Sequence, residues 1–399
     1  MNCEICNTKI RKNLVNLGNQ PIPDNLSRSL KSSKKKRKFK TKVDYCHKCI
    51  TAYQTTIIKK EDLYTKKYSY RAKNTKDVIN GLKNLSDEIK KYTYKKKDYK
   101  ILDIGCNDGT LLNFFYEKKF KTFGVEPTNA YKDAKKKHKI FNVFFDKKMA
   151  EKFLKKYGKP DVIIFTNVFA HIENLKKIIN ALKILSDDNT IIAIENHYLM
   201  SVINKFQFDT FYHEHLRTYS LNSFYNIGKL LKMNILKCSF PKRYGGNIRI
   251  FFKKKITINQ KIKEKINSEK KSFTKIKNSF IKHLHQWKIK KKIYIHKLNK
   301  KYGPLLAKSY PARACVIINY LDLNSGNIKN IYEKDMSKKL NKYVPGTNIK
   351  IIGDRYFDKK NQQTPIINFS WHISYEIRDY LKKRGVKNKI IDIVEKRDY

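Results

Sequence analysis

Apolar runs and segments of helical periodicity alternate through the middle of the chain. Several runs rich in Ile, Val and Phe are short enough to be buried strands. They lie at residues 101–104, 122–125, 162–166, 190–194 and 248–252. The segments between them have helical spacing, and this alternation predicts a Rossmann-like α/β fold with a doubly wound parallel sheet.

Helical periodicity also marks the segments on either side of this region. An apolar stripe within residues 75–92 predicts a helix with one packed face. The stripe consists of Val78, Ile79, Leu82, Leu85 and Ile89. Residues 256–300 are rich in lysine with the same periodicity, which predicts a connecting pair of helices. From residue 302 onward short strands and helices alternate again, which predicts a second, smaller α/β domain.

Two Cys-x-x-Cys pairs stand in the first part of the chain, Cys3 with Cys6 and Cys46 with Cys49. Two such knuckles place four thiolates where they can converge on one zinc ion, as in a zinc ribbon. A redox role is the rival interpretation of one pair, but redox motifs open a helix inside a βαβ unit, which residues 1–8 do not provide. Four cysteine ligands leave no open coordination position, so the predicted zinc is structural.

The chain of 399 residues is longer than one hydrophobic core usually organises. We therefore expect several units along it. They are a zinc-binding domain at 1–60, a helical linker at 61–97, a Rossmann-like domain at 98–255, a helical connector at 256–300 and a C-terminal α/β domain at 301–399.

The net charge of +54 comes from 89 Lys and Arg residues against 35 Asp and Glu residues. Such an excess is typical of proteins that bind nucleic acid or acidic membranes. Here the lysines are spread along nearly the whole chain together with many Ile and Asn residues, which indicates a composition bias and a solvated lysine surface. Only residues 31–42 resemble a dedicated basic segment, and we predict an exposed loop there. A basic cleft would nevertheless attract a substrate that carries phosphates.

The sequence has no apolar stretch of about 18 residues, the length at which a membrane-spanning helix is considered. Its start also lacks the apolar core of a signal peptide. The seven cysteines include the two close pairs and form no obvious disulfide framework, which suits a reducing compartment. We therefore expect a cytoplasmic protein without a membrane span.

The segments ILDIGCNDGTLL at 101–112 and FGVEP at 123–127 have the features of a nucleotide-binding strand, turn and helix. Gly105 and Gly109 let the backbone approach a ligand. Asp103 before the turn would repel a phosphate, whereas Glu126 can accept hydrogen bonds from ribose hydroxyls. An adenosine with a positively charged sulfonium fits both carboxylates, so S-adenosylmethionine is the predicted cofactor. Its candidate binding residues here are Asp103, Gly105, Asn107, Asp108, Gly109 and Glu126.

A second cluster of reactive side chains lies in FDTFYHEHLRTYS at 208–220. Tyr212, His213, Glu214 and His215 are all capable of proton transfer. Neighbours in sequence rarely converge on one metal ion, and His-Glu-His lacks the spacing of a helical zinc motif. General acid or base catalysis is therefore favoured over metal binding, while one histidine alone is equally explained as structural.

Taken together, these motifs resemble the three-part S-adenosylmethionine-dependent sugar C-methyltransferases. That family joins an N-terminal zinc-binding domain, a methyltransferase core and a C-terminal α/β domain. The matching segments are LGNQPIPDNL between the cysteine pairs, YSY at 68–70, DIGCNDGTLL, FGVEP, NVFAHIENL at 167–175, FDTFYHEH, YGGNIRIF at 244–251, PARACVIINY and YVPGT.

The resemblance implies methylation of a nucleoside-diphosphate-linked 4-keto-6-deoxy sugar on the carbon next to the ketone. It implies that His215 is the general base, that Tyr212 and Glu214 lie beside the sugar, and that Tyr70, in preference to Tyr68, closes the site. It further implies Asn167 as a cofactor-binding residue. The implied substrate-binding residues are Tyr68, His171, Gly245, Gly246, Asn247 and Arg249, although a strand-end turn explains the two glycines equally well.

Some motifs depart from the family pattern. The third domain begins with Ser-Tyr-Pro-Ala-Arg at 309–313 in place of Gly-Ala-Pro-Ala-Lys/Arg, and Lys-Leu-Asn at 339–341 replaces Lys-Gln-Gly. A different acceptor therefore stays open. So do an O- or N-methyltransferase of another small molecule and a basic nucleic-acid-binding zinc protein, although the scarcity of Arg relative to Lys speaks against a nucleic-acid surface.

Overall fold

The computed structural model describes residues 2–63, 70–93, 98–357 and 362–398. The strands are β1 (Arg11–Pro21), β2 (Lys38–Cys46), β3 (Thr51–Gln54), β4 (Lys100–Ile104), β5 (Lys121–Val125), β6 (Lys139–Phe141), β7 (Val162–Thr166), β8 (Ile191–His197), β9 (Arg217–Tyr219), β10 (Asn234–Ser239), β11 (Asn247–Lys253), β12 (Leu305–Lys308), β13 (Ile328–Glu333), β14 (Lys342–Tyr343), β15 (Lys350–Gly353), β16 (Ile366–Asn368) and β17 (Ile390–Asp392).

The α-helices alternate with these strands. They are α1 (Leu30–Lys34), α2 (Lys60–Leu63), α3 (Lys76–Lys90), α4 (Thr110–Tyr116), α5 (Tyr131–Ala134), α6 (Lys147–Tyr157), α7 (Leu175–Leu185), α8 (Leu199–Asn204), α9 (Leu221–Leu231), α10 (Gln260–Tyr302), α11 (Ala312–Tyr320) and α12 (Ser374–Lys383).

The N-terminal sheet is antiparallel, with the strand order β1-β2-β3-β9. Its last strand follows the cluster at 212–215 directly, so the N-terminal domain is hydrogen-bonded to the segment that carries the candidate base. The basic run at 31–42 is not the predicted loop, because it contributes to α1 and β2. Thr41, Val43 and Tyr45 are buried on one face of β2, and the intervening lysines hide this alternation in the sequence.

The central sheet has seven strands in the order β10-β11-β8-β7-β4-β5-β6. The strands from β8 to β6 in this order are parallel, and β11 pairs antiparallel with both of its neighbours. This confirms the predicted α/β class. The strands β6 and β10 were missed because both lie at a sheet edge, where a strand needs no continuous apolar run.

Helices cover both faces of the central sheet. On one face α3 packs with α4 against sheet residues such as Ile101 and Ile164, and its predicted stripe is buried at Val78, Leu82, Leu85 and Ile89. On the other face α6 and α7 pack on the alternate strand residues, among them Leu102 and Ile163. The turns that carry candidate site residues lie at the carboxyl ends of the parallel strands.

The C-terminal sheet has six strands in the order β14-β15-β13-β12-β16-β17, all parallel except β14. The expected pair of connecting helices is wrong, because α10 is a single helix of 43 residues. No Gly or Pro occurs within Gln260–Tyr302 to end it. Its buried face includes Phe273, Phe280 and Trp287.

Among the described residues, no helix combines the length and the apolar character that crossing a membrane requires.

Candidate active site

The turn between β4 and α4 depends on glycine at two positions. Gly105 has φ +73°, and a Cβ there would lie 2.4 Å from Cγ2 of Val168. Gly109, which caps α4, has φ +79°, and its Cβ would lie 2.9 Å from the His138 ring. The positive φ and the close neighbours together exclude other residues without rearrangement. Both glycines therefore let the turn at the carboxyl end of β4 pack closely against Val168 and His138.

Two buried carboxylates flank this turn. Glu126 follows β5, is 4% exposed, and accepts hydrogen bonds from the backbone N–H groups of Asn107 at 2.9 Å and Thr128 at 2.8 Å. Burial raises the pKa of Glu126. Burial and the nearby Glu126 raise the pKa of Asp103 well above its usual value. A ligand that brings hydroxyl donors and positive charge would stabilise the ionised form of both carboxyl groups.

The side chains of Asn107 and Asp108 hold the segment that carries Tyr70. Oδ1 of Asn107 accepts the Ala72 N–H at 3.0 Å, and Oδ2 of Asp108 accepts the Lys73 N–H at 3.0 Å. Nδ2 of Asn107 also donates to the carbonyl oxygen of Tyr70 at 3.2 Å. These two candidate cofactor residues therefore connect the glycine turn to the tyrosine segment. Tyr68 lies outside the described residues.

His215 has a fixed tautomer. Its Nδ1 lies 2.7 Å from the carbonyl oxygen of Thr210. Because a carbonyl oxygen only accepts, Nδ1 must carry the proton, and Nε2 keeps its lone pair. Burial lowers the pKa of His215 to about 4, opposed by the Thr210 bond and assisted by the charge of Arg313. The side chain is thus neutral near pH 7 and able to accept a proton at Nε2.

Tyr212 and Glu214 accompany His215, whereas His213 does not. The Tyr212 ring centroid lies 4.3 Å from that of His215. Burial, followed by the charge of Glu214, raises the pKa of Tyr212 well above its usual value. Burial and the nearby Asp24 raise the pKa of Glu214 to about 8. His213 is fully buried, and its Nε2 lies 3.0 Å from Oγ1 of Thr41 in the N-terminal sheet, which makes it a structural histidine.

Further aromatic groups surround the His215 ring. The rings of His171 and His197 lie 5.0 Å and 5.1 Å from it, and burial lowers the pKa of both. Tyr244 lies 5.7 Å from His197, and its hydroxyl is 3.3 Å from that of Tyr70. His197 and Tyr244 were missed in the sequence, although His197 ends β8, where a functional residue is expected.

Charged residues from both flanking domains also reach this region. Asp24 of the N-terminal domain raises the pKa of Glu214 and of Tyr212. Arg313 of the C-terminal domain lowers the pKa of His215 and of His197. The site therefore lies where the three domains meet. Asp24 lies in LGNQPIPDNL and Arg313 lies in PARACVIINY, two segments that carry the resemblance, but neither residue was predicted to belong to the site.

The YGGN turn before β11 is held by internal contacts. A Cβ on Gly245 would lie 2.3 Å from Oε1 of Gln207, and one on Gly246 would lie 2.6 Å from Oγ of Ser201. Close packing therefore accounts for both glycines in this structure. Asn247 donates from Nδ2 to Glu195 at 2.8 Å, and Asn167, at the end of β7, donates its N–H to the Glu195 carbonyl at 2.7 Å.

The expected contact of Arg249 with a substrate diphosphate is corrected by the structure. Its guanidinium is fully buried, and Nε donates to Glu195 at 2.8 Å. Nη1 donates to Oδ1 of Asn84 at 2.8 Å. Because the guanidinium binds these groups inside the protein, Arg249 stabilises the sheet beside the site and does not face a substrate diphosphate.

The four paired cysteines converge in the N-terminal domain. Their sulfur atoms all lie within 4.8 Å of one another. Sγ of Cys3 is 3.3 Å from that of Cys49, and Sγ of Cys6 is 3.4 Å from that of Cys46. A set of four convergent thiolates fits one tetrahedral metal ion.

Comparison with known proteins assigns the family. Residues 70–231 match the methyltransferase domain family, and residues 242–391 match the C-methyltransferase C-terminal domain family. The chain therefore joins a methyltransferase domain to a C-methyltransferase C-terminal domain. The C-methyltransferase NovU from Streptomyces niveus is 21% identical to it over 251 residues, which cover 62% of this chain and 60% of NovU.

Solved methyltransferases are similar to this methyltransferase over less than half of its length. One from Archaeoglobus fulgidus is 18% identical, with a TM-score of 0.35, over 43% of this chain and 94% of its own. The magnesium protoporphyrin IX methyltransferase from Synechocystis, with bound SAH, is 13% identical, with a TM-score of 0.36, over 45% of this chain and 84% of its own.

Proposed function

We propose that the protein transfers a methyl group from S-adenosylmethionine to the carbon next to the ketone of a nucleoside-diphosphate-linked 4-keto-6-deoxy sugar. The observation that carries the proposal is the fixed tautomer of His215, whose Nε2 is a neutral base in a region of neutral imidazoles and phenols. The C-methyltransferase C-terminal domain and the similarity to a C-methyltransferase support a carbon acceptor.

A carbon nucleophile requires an acidic C–H bond, which a neighbouring ketone provides. Nε2 of His215 takes the proton, and the electron pair of the C–H bond moves toward the carbonyl oxygen to form an enolate. Removal of a positioned base of this kind usually costs two to four orders of magnitude in rate, roughly 10² to 10⁴. The Thr210 carbonyl stabilises the imidazolium that results, since it accepts from Nδ1 at 2.7 Å.

Hydrogen-bond donors are needed on the substrate oxygens. Tyr212 is neutral because its pKa is raised, and Glu214, with a pKa of about 8, is largely protonated near pH 7, so both can donate. Tyr70 and His171 line the sugar site in this proposal, and the backbone at Gly245 and Gly246, with Asn247, approaches the nucleotide part.

The residues around the glycine turn fit S-adenosylmethionine. Glu126 accepts the ribose hydroxyls in this proposal, while Asp103 lies near the positive charge and Gly105, Asn107 and Gly109 contribute backbone, with Asp108 and Asn167 beside them. When bound, S-adenosylmethionine supplies an electrophilic methyl group, which forms a bond to the nucleophilic carbon while the sulfur keeps the electron pair of the broken bond.

The four-cysteine cluster is proposed to hold one zinc ion with a structural role. The support is the chemistry of the donor set and the burial of Cys3, Cys46 and Cys49. Such a site leaves no position for substrate, so no catalytic role is assigned to the metal.

The test is incubation of the purified protein with methyl-labelled S-adenosylmethionine and a panel of nucleotide-linked keto sugars, followed by mass spectrometry. A product with a new carbon-bound methyl group supports the proposal. A product methylated on oxygen or nitrogen would contradict it and favour another small-molecule methyltransferase. Uptake of label by nucleic acid alone would also contradict it.

A further inference from the structure

Arg313 is buried without all of its hydrogen-bond donors being satisfied by the described residues. It lies in the first turn of α11 and is 7% exposed. Its Nη2 donates to Oδ1 of Asp209 at 2.6 Å and to Oε1 of Gln207 at 3.3 Å. Nε and Nη1 have no hydrogen-bond partner among the described residues. Leaving donors of a charged group unpaired is costly unless a ligand satisfies them.

The guanidinium is held firmly in this position. It lies over the Trp371 ring, 5.2 Å from the ring centroid. Trp371 in turn donates from Nε1 to Oδ2 of Asp209 at 2.9 Å. Asp209 therefore connects Arg313 and Trp371, both from the C-terminal domain, to the motif that carries His215. A charge fixed in this way needs no rearrangement to act on a bound group.

The guanidinium lies beside the motif that carries His215, because its partner Asp209 directly precedes Thr210, whose carbonyl oxygen binds His215. The charge of Arg313 lowers the pKa of His215, His197 and His372, so these three rings are its electrostatic neighbours. Nδ1 of His372 is likewise buried without a partner among the described residues. The titratable and charged groups that surround His215 are Tyr212, His171, His197 and Arg313.

We propose that Arg313 is a further catalytic residue, which binds the substrate oxygen that becomes negative when His215 removes the proton. This assignment rests on the proposed carbon methylation. The electron pair released from the C–H bond resides largely on the ketone oxygen, and the free guanidinium nitrogens donate hydrogen bonds to it. The guanidinium stabilises that charge more strongly than it stabilises the neutral ketone, which is the requirement for catalysis.

A ketone oxygen fits this place better than a diphosphate does. A diphosphate carries two negative charges, whereas the neighbours of Arg313 in this region are neutral imidazoles and phenols, and one edge of the guanidinium is already paired with Asp209. Arg313 by itself would leave much of the diphosphate charge without a partner. One enolate oxygen requires only the donors that Arg313 has left.

The test compares Arg313→Gln, Arg313→Lys and a matched control, Tyr310→Phe. Tyr310 lies just before α11 and donates from its hydroxyl to the Pro23 carbonyl at 3.1 Å, so the control removes one buried contact that the same C-terminal domain makes with the N-terminal domain. Each protein is given the keto sugar that the wild type methylates. The measurements are kcat, KM, the pH dependence of kcat/KM, and exchange of the hydrogen next to the ketone with solvent deuterium.

In Arg313→Gln we expect kcat and hydrogen exchange to fall together, by roughly 100- to 1000-fold, the usual cost of losing one oxyanion donor. KM should change little. The acidic limb of kcat/KM should move to higher pH, because the lost charge lowers the pKa of His215 in the wild type. Arg313→Lys, which keeps the charge for Asp209, should fold even if Arg313→Gln does not, and should recover part of the rate. Tyr310→Phe should retain the kcat and pH profile of the wild type.

Wild-type exchange and kcat in Arg313→Gln, or in a folded Arg313→Lys if the first variant does not fold, would overturn the assignment while leaving carbon methylation intact. A rise in KM with unchanged kcat would overturn it as well, since that result indicates binding of the diphosphate. If the wild type itself methylates oxygen without exchanging hydrogen, the proposed function fails, and this assignment fails with it.

Discussion

Arg249 and Glu195 face each other directly across β11 and β8 and form a fully buried ion pair. Nε of Arg249 lies 2.8 Å and Nη2 lies 2.7 Å from Oε2 of Glu195. The other carboxylate oxygen accepts Nδ2 of Asn247 at 2.8 Å. The pair therefore fixes the antiparallel strand of the central sheet beside the strand that ends at His197.

Replacement of Arg249 by Met should destabilise the protein by about 3 to 5 kcal/mol, because the buried Oε2 of Glu195 loses both guanidinium donors and only Arg243, 3.4 Å from Oε1, remains as a cation among the described residues. Denaturant unfolding of the two proteins measures the difference. Lys121→Met is the control, since its pair with Asp98 is exposed, with side chains 59% and 60% accessible, and should cost at most about 1 kcal/mol. Equal losses in the free energy of unfolding of the two variants would show that the buried pair stabilises the protein no more than an exposed pair does.

Glu126→Ala should weaken binding of S-adenosylmethionine by about 1.5 to 3 kcal/mol, the cost of losing hydrogen bonds to a charged acceptor. Isothermal titration calorimetry provides the measurement. Glu151→Ala removes an exposed carboxylate from α6 and should leave the affinity unchanged. Thermal unfolding of both variants is needed, because Glu126 also accepts two backbone N–H groups. Unchanged affinity in a folded Glu126→Ala protein would exclude Glu126 from the cofactor site.

His215→Ala should keep cofactor and substrate binding but lose turnover by roughly two to four orders of magnitude. Tyr212→Phe and Glu214→Gln should slow the reaction less, because donation to the substrate oxygens is shared. His213→Ala is the matched control from the same motif, and it should lower stability rather than the rate per folded molecule, since His213 contacts Thr41. Full turnover in His215→Ala would remove His215 as the base.

The pH dependence of kcat/KM should reflect the lowered pKa of His215, about 4. The base acts in its neutral form, which predominates above that pKa. The acidic limb of kcat/KM that is attributable to His215 should therefore lie near pH 4. Protonation of His215 should not lower kcat/KM as the pH falls from 7 to about 5.5, although an unperturbed histidine would already be mostly protonated at the lower value. A limb near pH 6.5 in a protein that is stable there would contradict the assignment.

Purified protein should contain one zinc ion per chain, and Cys46→Ser should release it and unfold the N-terminal domain, because three thiolates hold the ion less tightly. Elemental analysis together with titration of free thiols tests this expectation. Cys238→Ser, outside the cluster, is the control and should keep its metal. Absence of zinc from wild-type protein prepared without chelator, with all four thiols free to react, would disprove the site.

An element could be predicted from the sequence where one short segment contains all the residues that determine it. The turn with Gly105 and Gly109 could be predicted because its backbone requirement is satisfied by residues close together in the chain. The helix over 75–92 had an uninterrupted stripe, and the central strands had continuous apolar runs. The edge strands β6 and β10 and the strand hidden among lysines at 38–46 lacked such a run, because only part of each is buried.

The sequence by itself determined the α/β class, the glycine turn with Glu126, the two cysteine pairs and the motif containing His215. Only the tertiary structure decided which of these residues meet. It separated His215, beside Tyr212 and His197, from His213, which faces the N-terminal sheet. It also turned Arg249 inward and brought Asp24 and Arg313 to the site from distant segments. The physical reason is that burial and charge neighbours depend on contacts between domains, which no local pattern of residues encodes.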